Sequence, residues 1–300
     1  MSHENRLREL DRRRADARRM GGEGKLARRA EKGDLNAEQR LAALVDVDSF
    51  IETGLLGASA FSDEDAAKTP RDGKITGFGR IDGRDVGVVV NDFTTKGAST
   101  GATNSKKMGY IRSACVARGM PFVHVGESTG ARLPDAMGSK GMGQLLGNDT
   151  SQFRRKREVP YVAAALNTSF GSSAWMCCMA DFSVMKKGSI MSVSSPRLVS
   201  MAIGEAVDVE ALGGWRLHAE QTGLIDHFVD TDEEAMLAIR AFLSYMPSHN
   251  KELPPEAAVP DGSGDDQERI LEILPEKRTQ VYNMKKIIEV IFDNDSYLEI

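Results

Sequence analysis

From Gly73 onward the chain alternates short β-rich apolar runs with segments of helical spacing, and this alternation restricts the architecture more than any other feature of the 300 residues. Ile75 to Ile81 and Val86 to Val90 flank Asp82-Gly83, a hairpin signal whose glycine accepts the positive φ of a tight turn. Asn104 to Arg118 sets Met108, Ile111 and Cys115 at helical spacing, Gly119 ends that helix, and Pro121 to Val125 reads as the next strand. The unit then recurs. A turn at Ser128-Thr129-Gly130-Ala131 precedes a helix-like stretch from Asp135 to Lys156, a buried strand from Tyr161 to Leu166, a turn at Gly171 and a short helix from Ser172 to Met179. Strands at Phe182 to Met185 and Ile190 to Val193 follow, then a helix from Pro196 and an amphipathic one from Glu233 to Tyr245. Strands separated by helices in this way predict an α/β fold of stacked ββα or βαβ units, not a sandwich.

The ends differ from this middle. Residues 1–33 carry nine Arg and two Lys against six acids, whereas the whole chain is −5, so the basic character is confined to an arm, residues 1–45. Glu4/Arg8 and Glu9/Arg13 at i,i+4 predict an exposed helix there. Gly21, Gly22 and Gly24 interrupt it, and a second helical stretch after Asp34 offers Leu35, Leu41, Leu44 and Val45 to one face. Residues 46–253 form the expected main domain, and the Pro-, Gly- and Asp-rich residues 254–268 read as a linker. After it, residues 291–299 (IFDNDSYLE) repeat residues 44–52 (LVDVDSFIE) with Asp, Asp, Ser and Glu in register. Residues 269–300 are therefore expected to open a second, homologous domain.

Several classes of function are disfavoured. No apolar run is long enough for a membrane span, and the first residues lack the apolar centre of a signal peptide, so the cytoplasm is the expected compartment. Cys115, Cys177 and Cys178 lack metal-ligand spacing and read as buried thiols. No Walker A and no dinucleotide-type G-x-G-x-x-G is present. The basic arm reads as a docking helix or a contact for phosphates; with no aromatic residue interleaved, nucleic acid is not expected. His124 reads as a core residue, and His218 and His227 as loop residues without a metal partner.

Two small-residue turns remain, Glu127-Ser128-Thr129-Gly130-Ala131-Arg132 and Ser169-Phe170-Gly171-Ser172-Ser173-Ala174, each directly after a buried strand. Small residues let a ligand approach the main chain, and a helix beginning at the second turn aims unpaired N–H groups outward. Side by side, such turns suit an oxyanion or enolate held by backbone donors. The plainer alternative, that both are packing turns, stays open on the residues alone.

The runs GRIDGRDVGVVVNDFTTKGAST, VGESTGARLPDAMG, FGSSAWMCCMADFSVMKKGS and EALGGWRLHAEQTGLIDH occur in this order. Together they resemble the carboxyltransferase (β) subunits of biotin-dependent acyl-CoA carboxylases, propionyl-CoA carboxylase among them, over roughly residues 20–300. The resemblance implies a crotonase-type fold in two homologous halves, the first binding acyl-CoA and the second receiving biotin, so this chain corresponds to the first half and the opening of the second. It implies an enolate whose oxygen is held by backbone N–H groups near Gly130, Ala131, Gly171 and Ser172, with Thr129, Arg132, Ser173, Gly97 and Ala98 lining the substrate. Biotin on a carrier protein, a biotin carboxylase subunit and assembly of like chains through crotonase-type domains come with the resemblance; in a eukaryote, so does the mitochondrial matrix. Thr129 and Ser172 stand where the family usually has glycine. The zinc ribbon of the bacterial acetyl-CoA carboxylase β subunit has no counterpart here. A decarboxylase α subunit and a CoA-binding scaffold without turnover are the alternatives.

Overall fold

The computed structural model describes residues 3–137, 157–262, 267–293 and 296–300. Most of the helix expected over Asp135 to Lys156 lies outside the described residues, as do Asn294 and Asp295 of the repeat and residues 263–266 of the linker. The chain divides into two compact units, Met1–Leu253 and Pro254–Ile300.

The first unit is built on one eight-stranded sheet: β1 (Ile51–Glu52), β2 (Lys74–Ile81), β3 (Arg84–Asn91), β4 (Phe122–Thr129), β5 (Tyr161–Phe170), β6 (Phe182–Lys186), β7 (Ile190–Ser192) and β8 (His227–Val229). Its order is β1-β2-β3-β4-β5-β6-β8, with β7 paired to the end of β5. The β2/β3 hairpin is antiparallel, and from β3 to β8 every pairing is parallel. Asp82 and Gly83 both take positive φ at the hairpin tip, as a two-residue primed turn demands, and Asp46 accepts both of their amides at 3.1 and 2.8 Å. Burial on both faces explains why β3, β4 and β5 read as continuous apolar runs and not as alternation.

Side chains two apart share a face. Val89, Tyr161, Ala163, Ala165 and Met185 join Met108, Ile111 and Cys115 of helix Ala102–Arg118 and Ala174, Met176 and Cys177 of helix Ser172–Met179 in one core cluster. Phe182, of opposite parity in β6, stacks on Phe242 of helix Asp232–Tyr245 with ring centroids 4.5 Å apart. A Thr231/Glu234 capping box starts that helix, satisfying donors its first turn leaves unpaired.

Some expectations change. His227 lies in β8, not a loop, pairing with Val184. His218 is buried in a π-helical turn, His218–Thr222, with Nε2 3.0 Å from the Met191 carbonyl. Cys178 is exposed, unlike Cys115 and Cys177. The arm folds as helices His3–Arg18, Glu23–Ala30 and Ala37–Leu44. Within it Glu9 pairs with Arg12 at 2.9 Å rather than with Arg13, since i,i+3 is as near as i,i+4 on a helix.

The second unit holds helices Arg269–Ile273 and Met284–Ile291. A cavity of about 940 Å³ there is lined by Ile273, Leu274, Tyr282, Lys286, Phe292 and Tyr297. The sequence repeat has a local structural counterpart. Ser49 donates from its amide and Oγ to the Asp46 carbonyl at 3.2 and 2.7 Å; Ser296 does the same to Asp293 at 3.1 and 2.7 Å.

Candidate active site

The two turns singled out in the sequence meet at the carboxyl ends of β4 and β5. Parallel pairing sets Ser128 opposite Ser169 and Thr129 opposite Phe170 after a bulge at Gly126/Ser128, so the next residues, Gly130 and Gly171, emerge side by side. Gly171 has φ 60° and ψ −118°, a backbone shape that only glycine takes without strain. A Cβ there would lie 3.3 Å from Gly130 Cα and 4.0 Å from Ala131 N.

Amide partners separate the donors of this cleft. Gly130 N–H donates to Ser128 Oγ at 3.1 Å, and Gly171 N–H to the Ser192 carbonyl of β7 at 3.2 Å. Both are engaged within the protein. Thr100 N–H donates to the Gly130 carbonyl and Arg132 N–H to the Thr100 carbonyl, each at 2.8 Å, a bridge that passes over the Ala131 amide. The first bond of helix Ser172–Met179 runs from Trp175 N–H to the Gly171 carbonyl, so the Ser172 amide precedes any intrahelical acceptor. Among the described residues neither the Ala131 nor the Ser172 amide donates to a protein acceptor, and the Ser172 amide lies at the positive end of its helix. The Ser172 hydroxyl is turned onto Thr100 Oγ1 at 2.6 Å.

Thr129 lies across Gly97, where a Cβ would run into its side chain, and donates from Oγ1 to the Gly97 carbonyl at 3.3 Å. Lys96, Gly97 and Ala98 all have left-handed φ of 47°, 59° and 48°. Holding Lys96 and Ala98 there costs about 1–2 kcal/mol each. Asp92 braces the approach, accepting the Thr95 hydroxyl at 2.6 Å and the Thr94 amide at 3.0 Å. The structure thus groups Thr129, Gly130, Ala131, Gly171, Ser172, Gly97 and Ala98. Arg132 sits beneath them: its buried guanidinium bonds Asp72 at 2.7 Å and the Ser99 carbonyl at 3.1 Å. Ser173 is also buried and faces Asn91.

Three features were not legible as functional in the sequence. Lys74 is wholly buried at the start of β2 and donates to Asn91 Oδ1 at 3.0 Å and the Ala98 carbonyl at 3.2 Å. Burial pushes its pKa down to about 7. Glu127, just before the first turn, takes buried ion pairs from Arg29 at 2.7 Å and Arg40 at 2.6 Å; Arg40 also reaches Asp232, which pairs with Lys186. His124 is buried within β4, and desolvation lowers its pKa to about 3. The only hint in the sequence was a charge at the edge of an apolar run. Among the described residues no group of His, Cys, Asp and Glu has the arrangement of a metal site, and no helix is long and apolar enough to cross a membrane.

Residues 28–300 match the carboxyl transferase domain. The chain belongs to the carboxyl transferase family. It is 31% identical to the carboxyltransferase subunit of propionyl-CoA carboxylase from Haloferax mediterranei over 99% of this chain and 58% of that one. It is 28% identical to the alpha subunit of methylmalonyl-CoA decarboxylase from Veillonella parvula, over 93% and 55%. The crystal structure of the transcarboxylase 12S hexamer with hydrolysed methylmalonyl-CoA bound superposes with a TM-score of 0.87 at 27% identity, covering 98% of this chain and 58% of that one. The fold is accordingly the crotonase-like one of these carboxyltransferases. The chain spans little more than half the length of the relatives it matches.

Proposed function

We propose that this chain is the acyl-CoA-binding half of a biotin-dependent carboxyltransferase and that the Gly130/Gly171 cleft receives the thioester. The observation that carries the reading is the close approach of two glycine turns, with a Cβ on Gly171 falling 3.3 Å from Gly130 Cα, beside the uncommitted amides of Ala131 and Ser172. A carbonyl oxygen accepting both gains most as it becomes an enolate, because the donors are already fixed when charge develops. Donors on the main chain fit a thioester without any acidic or basic side chain. In this family carboxybiotin, brought by a carrier partner, supplies the carboxyl group. The chain's own part is to hold the oxygen, to present the α-carbon above Gly171, and to keep side chains out of its path.

Two further observations support the reading. Arg13 and Arg19 of the arm line a cavity of about 380 Å³ with Leu55, Ala67 and Arg71, and guanidinium groups suit the phosphates of CoA. The recurrence of the Asp46/Ser49 turn at Asp293/Ser296 favours a homologous second half, which would complete the site for biotin, together with a biotin carboxylase subunit and assembly of like chains. The Veillonella relative favours a second reading, a biotin-dependent decarboxylase α subunit.

The test is calorimetric titration of the full chain with propionyl-CoA and with CoA. Tighter binding of propionyl-CoA supports the cleft as a thioester site, and equal affinity overturns it. With the biotin partners added, ATP-dependent carboxylation marks a carboxylase and sodium-dependent decarboxylation a decarboxylase.

A further inference from the structure

Lys74 and Asn91 are direct cross-strand partners of the β2/β3 hairpin, so their side chains leave the same face of the sheet. From there they reach both turns. Asn91 accepts from Lys74 Nζ, and its Nδ2 donates to the Glu127 carbonyl and to Ser173 Oγ, both at 3.2 Å. The first contact fixes the end of β4 and the second fixes the first turn of helix Ser172–Met179. The other arm of Lys74 ends on the Ala98 carbonyl, which also accepts Ser128 Oγ at 3.2 Å, and that hydroxyl in turn holds the Gly130 amide. Lys74, Ala98 and Ser128 have no exposed surface, and Asn91 and Ser173 have 1% each.

We infer that Lys74 is a positioning residue that holds the two turns in register, by tying Ser173 and Glu127 through Asn91 and Gly130 through Ala98 and Ser128. The inference deepens the thioester reading and rests on it. A buried ammonium ordinarily sits against a carboxylate. Lys74 makes no ion pair among the described residues; Asp72 is the nearby acid, and its carboxylate is bonded to Arg132 and to the Asn104 amide. An unbranched apolar side chain would fill the same space without burying a charge, so stability alone does not account for a lysine here. Its pKa near 7 is what that burial produces. What a lysine supplies is two directed donors, one to Asn91, which ties both turns, and one to the Ala98 carbonyl, which ties the first.

The experiment compares the full chain with Lys74→Met and with Lys74→Met/Asn91→Leu, the second removing both partners of the central bond so that neither is stranded. Hydrogen–deuterium exchange is followed in peptides over residues 96–101, 126–132 and 168–175, with residues 235–243 as the internal control. The expected result is exchange about tenfold faster at all three segments and unchanged at the control. The preference for propionyl-CoA over CoA should fall about tenfold, while the affinity for CoA itself holds. Unchanged exchange at the turns, or a rise at residues 74–91 alone, overturns the inference. Failure of both variants to fold also overturns it, because the role is then in folding. A wild-type chain without any propionyl-CoA preference refutes the thioester reading instead, and the exchange data still decide whether Lys74 holds the turns.

Discussion

Gly171 and Gly130 pack so that a methyl group on the first would come within 3.3 Å of the Cα of the second. Two parallel strands delivered in register, and the absence of a side chain on Gly171, make that approach possible. Gly171→Ala is therefore expected to act twice. Its φ of 60° strains any L side chain, and the added carbon closes the cleft from within. Loss of about 1–3 kcal/mol of stability in urea should accompany a fall of tenfold or more in propionyl-CoA affinity, by about 1.4 kcal/mol per decade. A variant that binds propionyl-CoA as tightly as wild type removes the cleft from consideration.

Ser172 stands where the family resemblance implies glycine, and we propose that the departure is benign. Its hydroxyl is tied to Thr100 Oγ1 at 2.6 Å, which fixes the side chain. Ser172→Gly should leave propionyl-CoA affinity near the wild-type value and lower stability by about 1 kcal/mol, the worth of one hydrogen bond plus added backbone freedom. Titration and urea unfolding on the same preparation separate the two effects. A large gain in affinity on this change would mean that the serine obstructs the thioester.

The two turns were readable in advance because their signal is local: glycine and small residues immediately after an apolar run. The hairpin at Asp82-Gly83 was readable for the same reason. What sequence spacing leaves invisible is convergence across the sheet. Lys74 and Asn91 are 17 positions apart and meet only through antiparallel register. Arg29 and Glu127, 98 positions apart, meet only because the arm packs under β4. His227 read as a loop residue because β8 has three residues, too few to show a period. The distinction between engaged amides at Gly130 and Gly171 and uncommitted ones at Ala131 and Ser172 belongs to the backbone, which residue types do not encode.

Stability should depend on pH through buried titratable groups, Lys74 and His124 among them. Burial holds the pKa of Lys74 down at about 7, against an ordinary lysine value of 10.5. Between those values the unfolded chain holds a proton that the native chain has released, so native stability rises with pH across this window. Below it, both states are protonated and the full penalty is present. In Lys74→Met this term vanishes, so wild-type stability measured relative to the variant should climb by on the order of a few kcal/mol over the window. Urea midpoints at pH 6.5, 7.5 and 8.5 (roughly the lower half of that window) read the trend, and parallel curves for the two proteins would contradict it. On the acid side, His124 stays neutral down to about 3, so stability is lost as pH falls from the ordinary histidine value toward it. His124→Phe should flatten that limb.

Arg40 offers the last test, of the buried charges that connect the arm to the strand bearing the first turn. Its guanidinium bridges Glu127 at 2.6 Å and Asp232 at 2.8 Å with 1% of the side chain exposed. Each carboxylate keeps a cationic partner when Arg40 is removed, Arg29 for Glu127 and Lys186 for Asp232. Breaking one member of such a network typically costs about 3–5 kcal/mol, and the remaining partners place Arg40→Met at the lower end of that range. Arg29→Met/Arg40→Met strips Glu127 of both cations and leaves it Asn167 Nδ2 at 3.3 Å. The double variant is therefore expected to lose more than the two single variants combined, because the second removal strands a buried carboxylate that the first does not. Adding Glu127→Gln to it should recover part of the loss by removing the charge that was stranded. Chemical denaturation of the four variants against the wild type decides the matter, and simple additivity would show that the arginines act independently and not through Glu127.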